Sequence, residues 1–448
     1  MRTFISNSVR RAGLTAVLAT ISTAPIAAQL PNSSAAAFGM AGNFTAVARG
    51  YEAVSWNAAN LAMPGRPFMS FGLASLGGTL GLDPVDFRAL HEYSGQVVPD
   101  STRAAWVDLA SQSGGQKIRI DGGVTYLGLS VGPFGLQVGS SFYTNANLSP
   151  DAFEAVLFGN AGRTGGQAKA LDFTGTSVRG AGFTTGAASF AFGLPFKLMG
   201  GMLPGERMAL GVTGKYVIGH GLVLADDAGS TFGTNDIQLS FPTIITRQRV
   251  DGAGFGTASD EYNGIAGSGV AADISLAWRG GPWRVGVLAE NMFNGFTWDT
   301  TMLAFLPGTG SLDGTTNTTD FDRQPFGNAP QALQDLVTAQ KFSPAFTIGA
   351  AMNLTSRLTL TADMKTSTGG EESIVIGPRS RFGVGAELRI LPFIPIRAGV
   401  ASVTDGWQAG LGAGFHFLGA EISAATSIRR RGAATESGVM VGVLGLGR

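Results

Sequence analysis

The chain has 448 residues, of which 67 are glycine and none is cysteine, and its 31 basic residues balance its 31 acidic residues. The lack of cysteine excludes disulfides and thiolate metal sites, and the zero net charge gives no electrostatic reason to expect nucleic acid as a partner. Glycine stands at about twice its usual share while the apolar fraction of 44% is ordinary, which favours one large β-barrel over two or three soluble domains.

Residues 1–28 are organised like a secretory signal peptide. Arg2, Arg10 and Arg11 precede an apolar core at residues 12–21, and a stretch of small residues follows at 24–28. We predict cleavage after Ala28. No later stretch approaches the roughly 18 to 20 uninterrupted apolar residues that a membrane helix needs. The mature protein is therefore expected to be either soluble or a barrel.

Residues 29–65 form a separate N-terminal segment before the first strand. The segment is rich in alanine and glycine and is too short to build a hydrophobic core of its own. It must pack against another part of the protein, and a barrel interior is the nearest candidate. We therefore predict a plug, with these side chains as its main packing and hydrogen-bonding groups: Phe38, Phe44, Trp56, Asn57, Asn60 and Leu61.

Residues 66–448 repeat one pattern, a run of about ten residues with alternating side-chain character followed by a turn or a long polar loop. Runs of this length match tilted strands that cross a bilayer. Fourteen runs are predicted, at 67–76, 118–131, 133–144, 182–193, 207–219, 266–279, 282–291, 343–353, 357–366, 380–390, 394–402, 406–416, 417–428 and 436–446. The fold class is thus all-β, a 14-stranded antiparallel transmembrane β-barrel with a short N-terminal plug and helical extracellular loops.

The connections between the predicted strands alternate between short and long. Outer-membrane barrels have short periplasmic turns and longer outside loops, so this alternation predicts that both chain termini are periplasmic. A further strand-like stretch at 236–250 is excluded from the barrel because it would invert the short and long sides, and Pro242 also argues against a central strand. We predict that this stretch is a hairpin within an extracellular loop.

Charged residues of the predicted strands share one face, opposite an apolar face. On the ninth strand, Asp363 and Lys365 alternate with Leu360 and Met364. A charge facing lipid at mid-depth costs about 2 to 4 kcal/mol, so the charged face is predicted to line the lumen, where the mixed signs would form ion pairs. A soluble sandwich would explain the alternation equally well, but rarely with a signal peptide and one-sided long loops. The predicted lumen charges are Lys215, Asp273, Glu290, Asp363, Lys365, Glu387, Arg389, Arg397 and Glu421.

Three of the long loops carry helix start signals. Asp83-Pro84 is predicted to begin one helix, Asp100 or Ser101 to cap another that runs to about Gln112, and Ser149-Pro150 to open a third of about nine residues. Asn328 and Pro330 are predicted to open a fourth. Such helices could cap a pore or present an apolar surface.

The segment at residues 35–62 resembles the N-terminal hatch of the FadL-like outer-membrane proteins, which include fatty-acid transporters, aromatic-hydrocarbon channels and PorV-type secretion accessory proteins. Its Ala- and Gly-rich run precedes Trp56-Asn57-Ala58-Ala59-Asn60-Leu61-Ala62, similar to the family's Asn-Pro-Ala-x-Leu element, with Ala58 in place of proline. Fourteen strands is also the FadL-like number. The resemblance implies a lateral gap at a kinked third strand, where Gly139, Ser140 and Ser141 stand here; an ordinary flexible strand segment is the alternative.

Catalysis has few candidate groups. The three histidines are His91, His220 and His416, and only His416 has serines, Ser423 and Ser427, within reach on the next predicted strand. We interpret these as structural and predict no enzyme activity, no metal and no cofactor. The acidic pairs in the loops lack the further spaced carboxylates that a calcium loop requires.

Two functions remain open. The first is an outer-membrane channel for passive uptake of small hydrophobic molecules such as fatty acids or hydrocarbons, and the second is a non-transporting barrel that serves protein secretion or assembly, like the PorV-type proteins. The expected partners are outer-membrane lipid, the barrel-assembly machinery and, for a channel, a hydrophobic small-molecule ligand. A continuous apolar tunnel would favour the first function, whereas a polar, packed lumen with an exposed apolar loop surface would favour the second.

Overall fold

The computed structural model describes residues 34–159, 163, 170–233, 236–247, 264–312, 317–370, 372–375, 377–404, 406–417, 420–431 and 434–446. The predicted signal peptide at 1–28 lies outside the described residues.

Fourteen antiparallel strands form a closed barrel, which confirms the predicted fold class and strand number. The strands are β1 (Met69–Asp83), β2 (Gln116–Val131), β3 (Phe134–Leu148), β4 (Ser177–Leu194), β5 (Arg207–Asp226), β6 (Gly267–Gly280), β7 (Trp283–Asn294), β8 (Ala345–Asn353), β9 (Leu358–Ser367), β10 (Ser380–Leu391), β11 (Ile394–Val403), β12 (Gly406–Phe417), β13 (Ala420–Arg431) and β14 (Ala434–Leu446). Each pairs with its neighbours in sequence, and β1 also pairs with β14 to close the cylinder. Closure removes the unpaired edges that hydrocarbon does not tolerate.

The first five strands are longer than predicted. They contain 15 to 20 residues, and β5 continues to Asp226, past the predicted end at 219. The extra residues of β4 and β5 pair with each other from Gly182↔Gly221 to Ser177↔Asp226, so their backbone groups remain satisfied beyond the membrane-crossing part. The alternating runs of about ten residues in the sequence match only the part of each strand that crosses the membrane, so they did not predict this extension.

Long loops leave one end of the barrel, here called the loop end, and short turns leave the other, here called the turn end. At the turn end the connections include 132–133, 281–282 and 392–393, whereas at the loop end they include 84–115 and 295–344. The predicted alternation of short and long connections holds for most of the barrel, but the loop-end connections at 404–405 and 432–433 are as short as the turns, and the turn-end connection at 195–206 is long. The last described residue, Leu446, pairs with Phe71 and Ala420 at the turn end, and the first, Ser34, lies in the lumen close to Leu73 and Gly445.

Outward-facing side chains form a continuous apolar belt around the barrel. On β9, Leu360 and Met364 are 38% and 57% exposed while Asp363, between them, is 1% exposed. The belt includes Leu136, Val138, Phe190, Val212, Ile274, Ile348, Leu360, Met364, Val384, Val400, Leu411, Ile422 and Val439. Solvent-exposed apolar surface on this scale identifies the wall as lipid-facing. Among the described helices, none is both long and apolar enough to span a membrane.

In the described part of the N-terminal segment there are two short helices, α1 (Ala35–Gly39) and α2 (Ala53–Trp56). The described parts of the loops contain four, α3 (Phe87–Glu92), α4 (Asp100–Gln112), α5 (Pro150–Phe158) and α6 (Gln331–Ala339). Ser149 caps α5 as predicted. The helix predicted to begin at Asp83-Pro84 instead begins at Phe87, because Asp86 accepts the hydrogen bond from the backbone N–H of Ala89. Asp83 is the last residue of β1 and pairs with Lys117.

The stretch at 236–250 lies in a loop, as predicted, but it is not a hairpin. Ile237–Ser240 pairs with Thr231–Phe232 and Thr309–Leu312, whereas Thr243–Thr246 pairs with β5 and Leu303–Leu306. Pro242 separates the two short strands, and each finds its hydrogen-bond partners in a different part of the loops. Residues 248–250 of the predicted hairpin fall outside the described part.

The apolar belt makes a direct prediction at Ile348, which is 56% exposed in the middle of β8 and pairs with Val287 and Met364. We expect Ile348→Arg to lower the free energy of unfolding by about 2–4 kcal/mol, because the guanidinium would face hydrocarbon. Urea titration of the protein folded into lipid vesicles measures this change. Val97→Arg, at a loop residue that is 90% exposed, is the control and should change little. Equal stabilities of the two variants would contradict a lipid-facing wall.

Candidate functional site

The N-terminal segment lies inside the barrel and touches strands on all sides of it. Helix α1 packs against β11 to β14, and the 3-10 turn at Ala58–Ala62 packs against β3 to β6 on the opposite wall. Between them, Thr45 approaches β8 at Gly349, and Tyr51 approaches Gly72 and Gly128 on β1 and β2. Contacts around the whole circumference mean that the segment fills the lumen as a plug, so the barrel is not a wide water pore.

Glycines on the strands let the backbone of the plug approach the wall. A Cβ atom at Gly410 would lie 2.4 Å from the carbonyl oxygen of Phe38, and one at Gly211 would lie 2.3 Å from the backbone nitrogen of Ala59. These distances are far below van der Waals contact, so no other residue fits without displacing the plug. The high glycine content of the sequence thus has a specific use at the interface between wall and plug.

Side-chain hydrogen bonds fix the plug at a few points. Asp363 Oδ2 accepts the backbone N–H groups of Phe44 and Thr45 at 3.0 and 2.9 Å. Asn57 donates to the carbonyl oxygen of Leu276 on β6 at 3.1 Å, and Asn60 donates to that of Thr45 at 3.1 Å within the plug. A buried carboxylate that accepts two backbone donors is a strong anchor because its charge assists both hydrogen bonds.

The apolar residues predicted for the plug occupy different places. Phe44 and Trp56 pack edge to face with ring centroids 5.6 Å apart. Phe38 packs against Ala35, Ala425 and Met440. Leu61 is 1% exposed and packs with Ala53 and Ala191, on the β4 side of the barrel. These side chains therefore pack the plug against β4 on one side of the barrel and against β13 and β14 on the other.

Eight of the nine charged residues predicted for the lumen form two close pairs and one chain of pairs. Lys215 and Asp273 are 2.7 Å apart, and Lys365 and Glu290 are 2.6 Å apart. Arg397 bridges Glu387 and Glu421 at 2.9 and 3.0 Å. Arg389 also pairs with Glu387, but its side chain is 50% exposed at the turn end. Buried charges are tolerated when they are paired and hydrogen-bonded, which is the condition met here.

Two further arginines, which were not among the predicted lumen charges, also face the lumen. Arg381 lies 3.9 Å from Asp363, and Arg429 donates to Gln408 Oε1 at 3.3 Å. Strand periodicity could have found both, because Arg381 has the same parity as Glu387 and Arg429 the same parity as Glu421.

The histidine considered for catalysis has a different partner. His416 Nε2 donates to Glu421 Oε2 at 2.6 Å, at the end of the Arg397 chain. Within the described residues, no group of three or more His, Asp or Glu side chains is placed to hold a metal ion.

A cavity of about 190 Å³ lies between the plug and the lumen wall, on the side of the plug that faces the loop end. Phe38, Gly42, Thr45 and Trp56 of the plug line one side of it. The wall contributes side chains from many strands, among them Asp121, Ser141, Leu288, Glu290, Thr347, Lys365, Arg381, Gln408, Arg429 and Met440. The cavity therefore has an aromatic and small-residue floor. Its wall carries the Lys365–Glu290 ion pair and Arg381, together with Asp121, which accepts from Thr79, and Arg429, which donates to Gln408.

An aromatic cluster fills part of the lumen nearer the loop end. The ring of Phe183 on β4 lies 5.5, 5.6 and 4.9 Å from those of Phe296, Trp298 and Phe342. Leu333 and Val337 of α6 complete the cluster. Leu333 and Phe183 are 150 positions apart, so no local pattern in the sequence joins the predicted helix to this ring.

The residues predicted for a lateral kink lie in a regular part of β3. Pairing between β3 and β4 is uninterrupted from Phe134↔Phe190 to Asn147↔Ser177, and it includes Gly139↔Thr185. The register shift is instead on β2, where Tyr126 lies between the pairs Thr125↔Gly139 and Leu127↔Val138. Ser141 borders the cavity. The extra residue, Tyr126, therefore lies on β2 opposite Gly139, the first residue of the predicted kink.

No protein-family model and no curated protein matches the chain. Solved structures that are similar include the Ralstonia pickettii toluene transporter TbuX, 13% identical over 93% of this chain and 98% of that one with a TM-score of 0.45. The P. putida toluene transporter TodX is 10% identical over 92% of this chain and 97% of that one, with a TM-score of 0.44. A Pseudomonas aeruginosa FadL homologue is 12% identical over 94% of this chain and 99% of that one, with a TM-score of 0.45. At such identities the similarity concerns the fold alone.

The contact between plug and wall can be tested with two glycines of β5. Gly211→Ala places a methyl group against Ala59, whereas Gly214→Ala, on the same strand, meets no atom within 4 Å. We expect Gly211→Ala to lower the free energy of unfolding by about 1–3 kcal/mol through overpacking and to speed hydrogen exchange in residues 53–62. Gly214→Ala should match the wild type. Unchanged exchange in both variants would argue against a packed plug.

The ion pair between Lys215 and Asp273 generates a second test. Lys215→Met leaves a buried carboxylate without its cation and should cost about 3–5 kcal/mol. The double variant Lys215→Met/Asp273→Leu removes both charges and should recover most of this loss. Urea titration in vesicles measures all three proteins. If the double variant were less stable than Lys215→Met, Lys215 would not be the group that offsets the free energy cost of burying the Asp273 carboxylate.

Proposed function

We propose that this protein is an outer-membrane channel for the passive uptake of small hydrophobic molecules, such as hydrocarbons or fatty acids. The proposal places the loop end outside the cell and the turn end in the periplasm, with outer-membrane lipid around the apolar belt and insertion by the barrel-assembly machinery. The observation that carries it is the cavity between the plug and the lumen wall.

The size of the cavity suits one small molecule. At about 190 Å³ it is slightly larger than an engineered protein cavity of about 150 Å³ that binds benzene. A single aromatic ring or a short hydrocarbon fits such a volume, whereas a long acyl chain would have to extend beyond it. Phe38, Trp56, Leu288 and Met440 supply apolar contacts.

The charged groups of the lining are compatible with an uncharged ligand. Lys365 is paired with Glu290, and Arg381 lies beside Asp363. A cation that already has an anionic neighbour offers little net attraction to a passing anion, since the two fields largely cancel. These two cations of the wall therefore act as cross-linked supports rather than as an anion-binding surface.

Passage to the periplasm requires the plug to move, because it contacts the wall on all sides. It is held by separate side-chain hydrogen bonds, which include those to Asp363 and from Asn57, and not by a continuous ladder of backbone pairs. Local opening of a segment held in this way is less costly than opening of the barrel, whose strands are paired along their full length. Ligand entry into the cavity and a shift of residues 35–62 would together complete the path.

The proposal predicts that filling the cavity blocks uptake. Thr347 is 3% exposed and lines the cavity, and its neighbour Ile348 points outward into the belt. We expect Thr347→Phe to lower the initial rate of toluene uptake by cells about tenfold, because the phenyl ring occupies the space of the ligand. A tenfold change corresponds to about 1.4 kcal/mol of binding free energy. Ile348→Phe adds the same ring on the lipid side and should leave uptake unchanged.

The readout must separate transport from loss of protein. Both variants are compared at equal amounts of folded barrel, judged by heat-modifiable migration in gels, and a polar sugar is measured in parallel. Equal toluene uptake by Thr347→Phe and Ile348→Phe would overturn the proposal. Deletion of residues 35–62 provides a further arm, which should raise the uptake of the sugar because the lumen loses its plug.

A second candidate function is favoured by a different observation. Helices α3 to α5 expose apolar side chains at the loop end, with Phe87, Leu90, Leu109 and Val156 between 39% and 56% exposed. Such a surface, above a lumen that is largely filled, suits a non-transporting barrel that holds another protein for secretion or assembly. Toluene uptake that equals that of cells without the protein, together with cross-linking of a partner to this surface, would support this second function over the first.

A further inference from the structure

The turn between β4 and β5, residues 195–206, differs from the other connections at the turn end. The turns at 132–133 and 281–282 contain two residues each, whereas this one contains twelve. Its apolar side chains are unusually exposed, with Phe196 at 68%, Leu198 at 65%, Met199 at 42% and Met202 at 77%. A long turn that exposes four large apolar groups to water would be unfavourable unless something covers them.

The turn is held in one conformation by Glu206. This carboxylate is 2% exposed and accepts the backbone N–H groups of Met199 and Gly201 at 2.6 and 2.7 Å. It also accepts the indole N–H of Trp278 at 3.0 Å. At the neighbouring turn, the N–H of Gly281 donates to the carbonyl oxygen of Pro204 at 2.8 Å. The exposed apolar side chains are therefore presented by a fixed scaffold.

The turn lies along the outer wall of the barrel. Trp278 shares the outward face of β6 with Ile274, and both Trp278 and Leu203 approach the position of a Cβ atom at Gly280 to 3.0 Å or less. On β4, the outward-facing Phe190 and Phe192 are 44% and 42% exposed and lead directly into the turn. The exposed side chains of the turn thus continue the apolar belt toward the turn end.

We propose that residues 195–206 form a membrane anchor that inserts Phe196, Leu198, Met199 and Met202 into the boundary between headgroups and acyl chains of the leaflet at the turn end. Lys197, exposed on the same turn, reaches lipid phosphates with its ammonium group while its stem stays among the apolar side chains. Lipid is the occupant because the patch is continuous with the lipid-facing belt and is fixed against the same wall. This inference depends on the barrel and not on the transport proposal.

The absence of cysteine from the sequence allows a clean test. Met202→Cys, labelled with a polarity-sensitive fluorophore, is folded into phosphatidylethanolamine and phosphatidylglycerol vesicles with or without a lipid that carries a quencher on its upper acyl chain. Val97→Cys, 90% exposed at the loop end, carries the same label as a control. We expect the label at Met202 to be quenched at least about twofold more than the label at Val97, as for an interfacial group.

Equal quenching at the two positions would overturn the proposal. A label at Met202 that is exposed to water in vesicles but shielded in native membranes would also overturn it, since a protein would then cover the turn. Both labelled residues are exposed, so the variants should fold, and heat-modifiable migration verifies this. A matched variant, Glu206→Gln, should reduce the quenching at Met202, because Met199 and Gly201 donate to different carboxylate oxygens and an amide keeps only one of these two acceptors.

Discussion

Hydrocarbon offers no hydrogen bonds, so every backbone N–H and C=O within it must be satisfied inside the protein. The closed ring of strands from β1 to β14 meets this requirement, and the remaining features follow from closure. A closed barrel has an inside, and alternation then sends Ile348 and Met364 to lipid and Thr347 and Asp363 to the lumen. The lumen must in turn be filled or hydrated, which is the problem that the N-terminal segment and the ion pairs solve.

The plug and the lumen charges support each other. Asp363 illustrates the connection, because the carboxylate that accepts two plug N–H groups also lies beside Arg381. Arg381 borders the cavity, as do Lys365 and Glu290. The position of the plug, the pairing of the charges and the shape of the cavity are therefore one arrangement, and a change in any of them alters the other two.

The candidate site could be predicted in part. Parity along β5, β6 and β9 places Lys215, Asp273 and Asp363 on the inner face without any knowledge of their partners. The same rule places Arg381 and Arg429 on the inner face, since each has the parity of another inner charge on its strand. Which charge meets which could not be predicted, since the pair Lys215 and Asp273 depends on the register between β5 and β6. The resemblance implied a kink in β3, whereas the register shift between β2 and β3 comes from an extra residue on β2, Tyr126. The position of such a bulge depends on the pairing of both strands.

The sequence by itself determined the properties that depend on neighbouring residues: the number of strands, the lipid-facing and lumen-facing sides, the short and long ends, and the Ser149 cap of α5. These are local because strand alternation and capping act over a few positions. Only the tertiary structure decided what depends on distant residues. The aromatic cluster joins Phe183 to Phe342, the cavity collects side chains from the plug and most of the strands, and the turn at 195–206 is organised by Glu206 and Trp278. Such contacts arise when the chain closes into a cylinder, and no periodicity along the sequence encodes them.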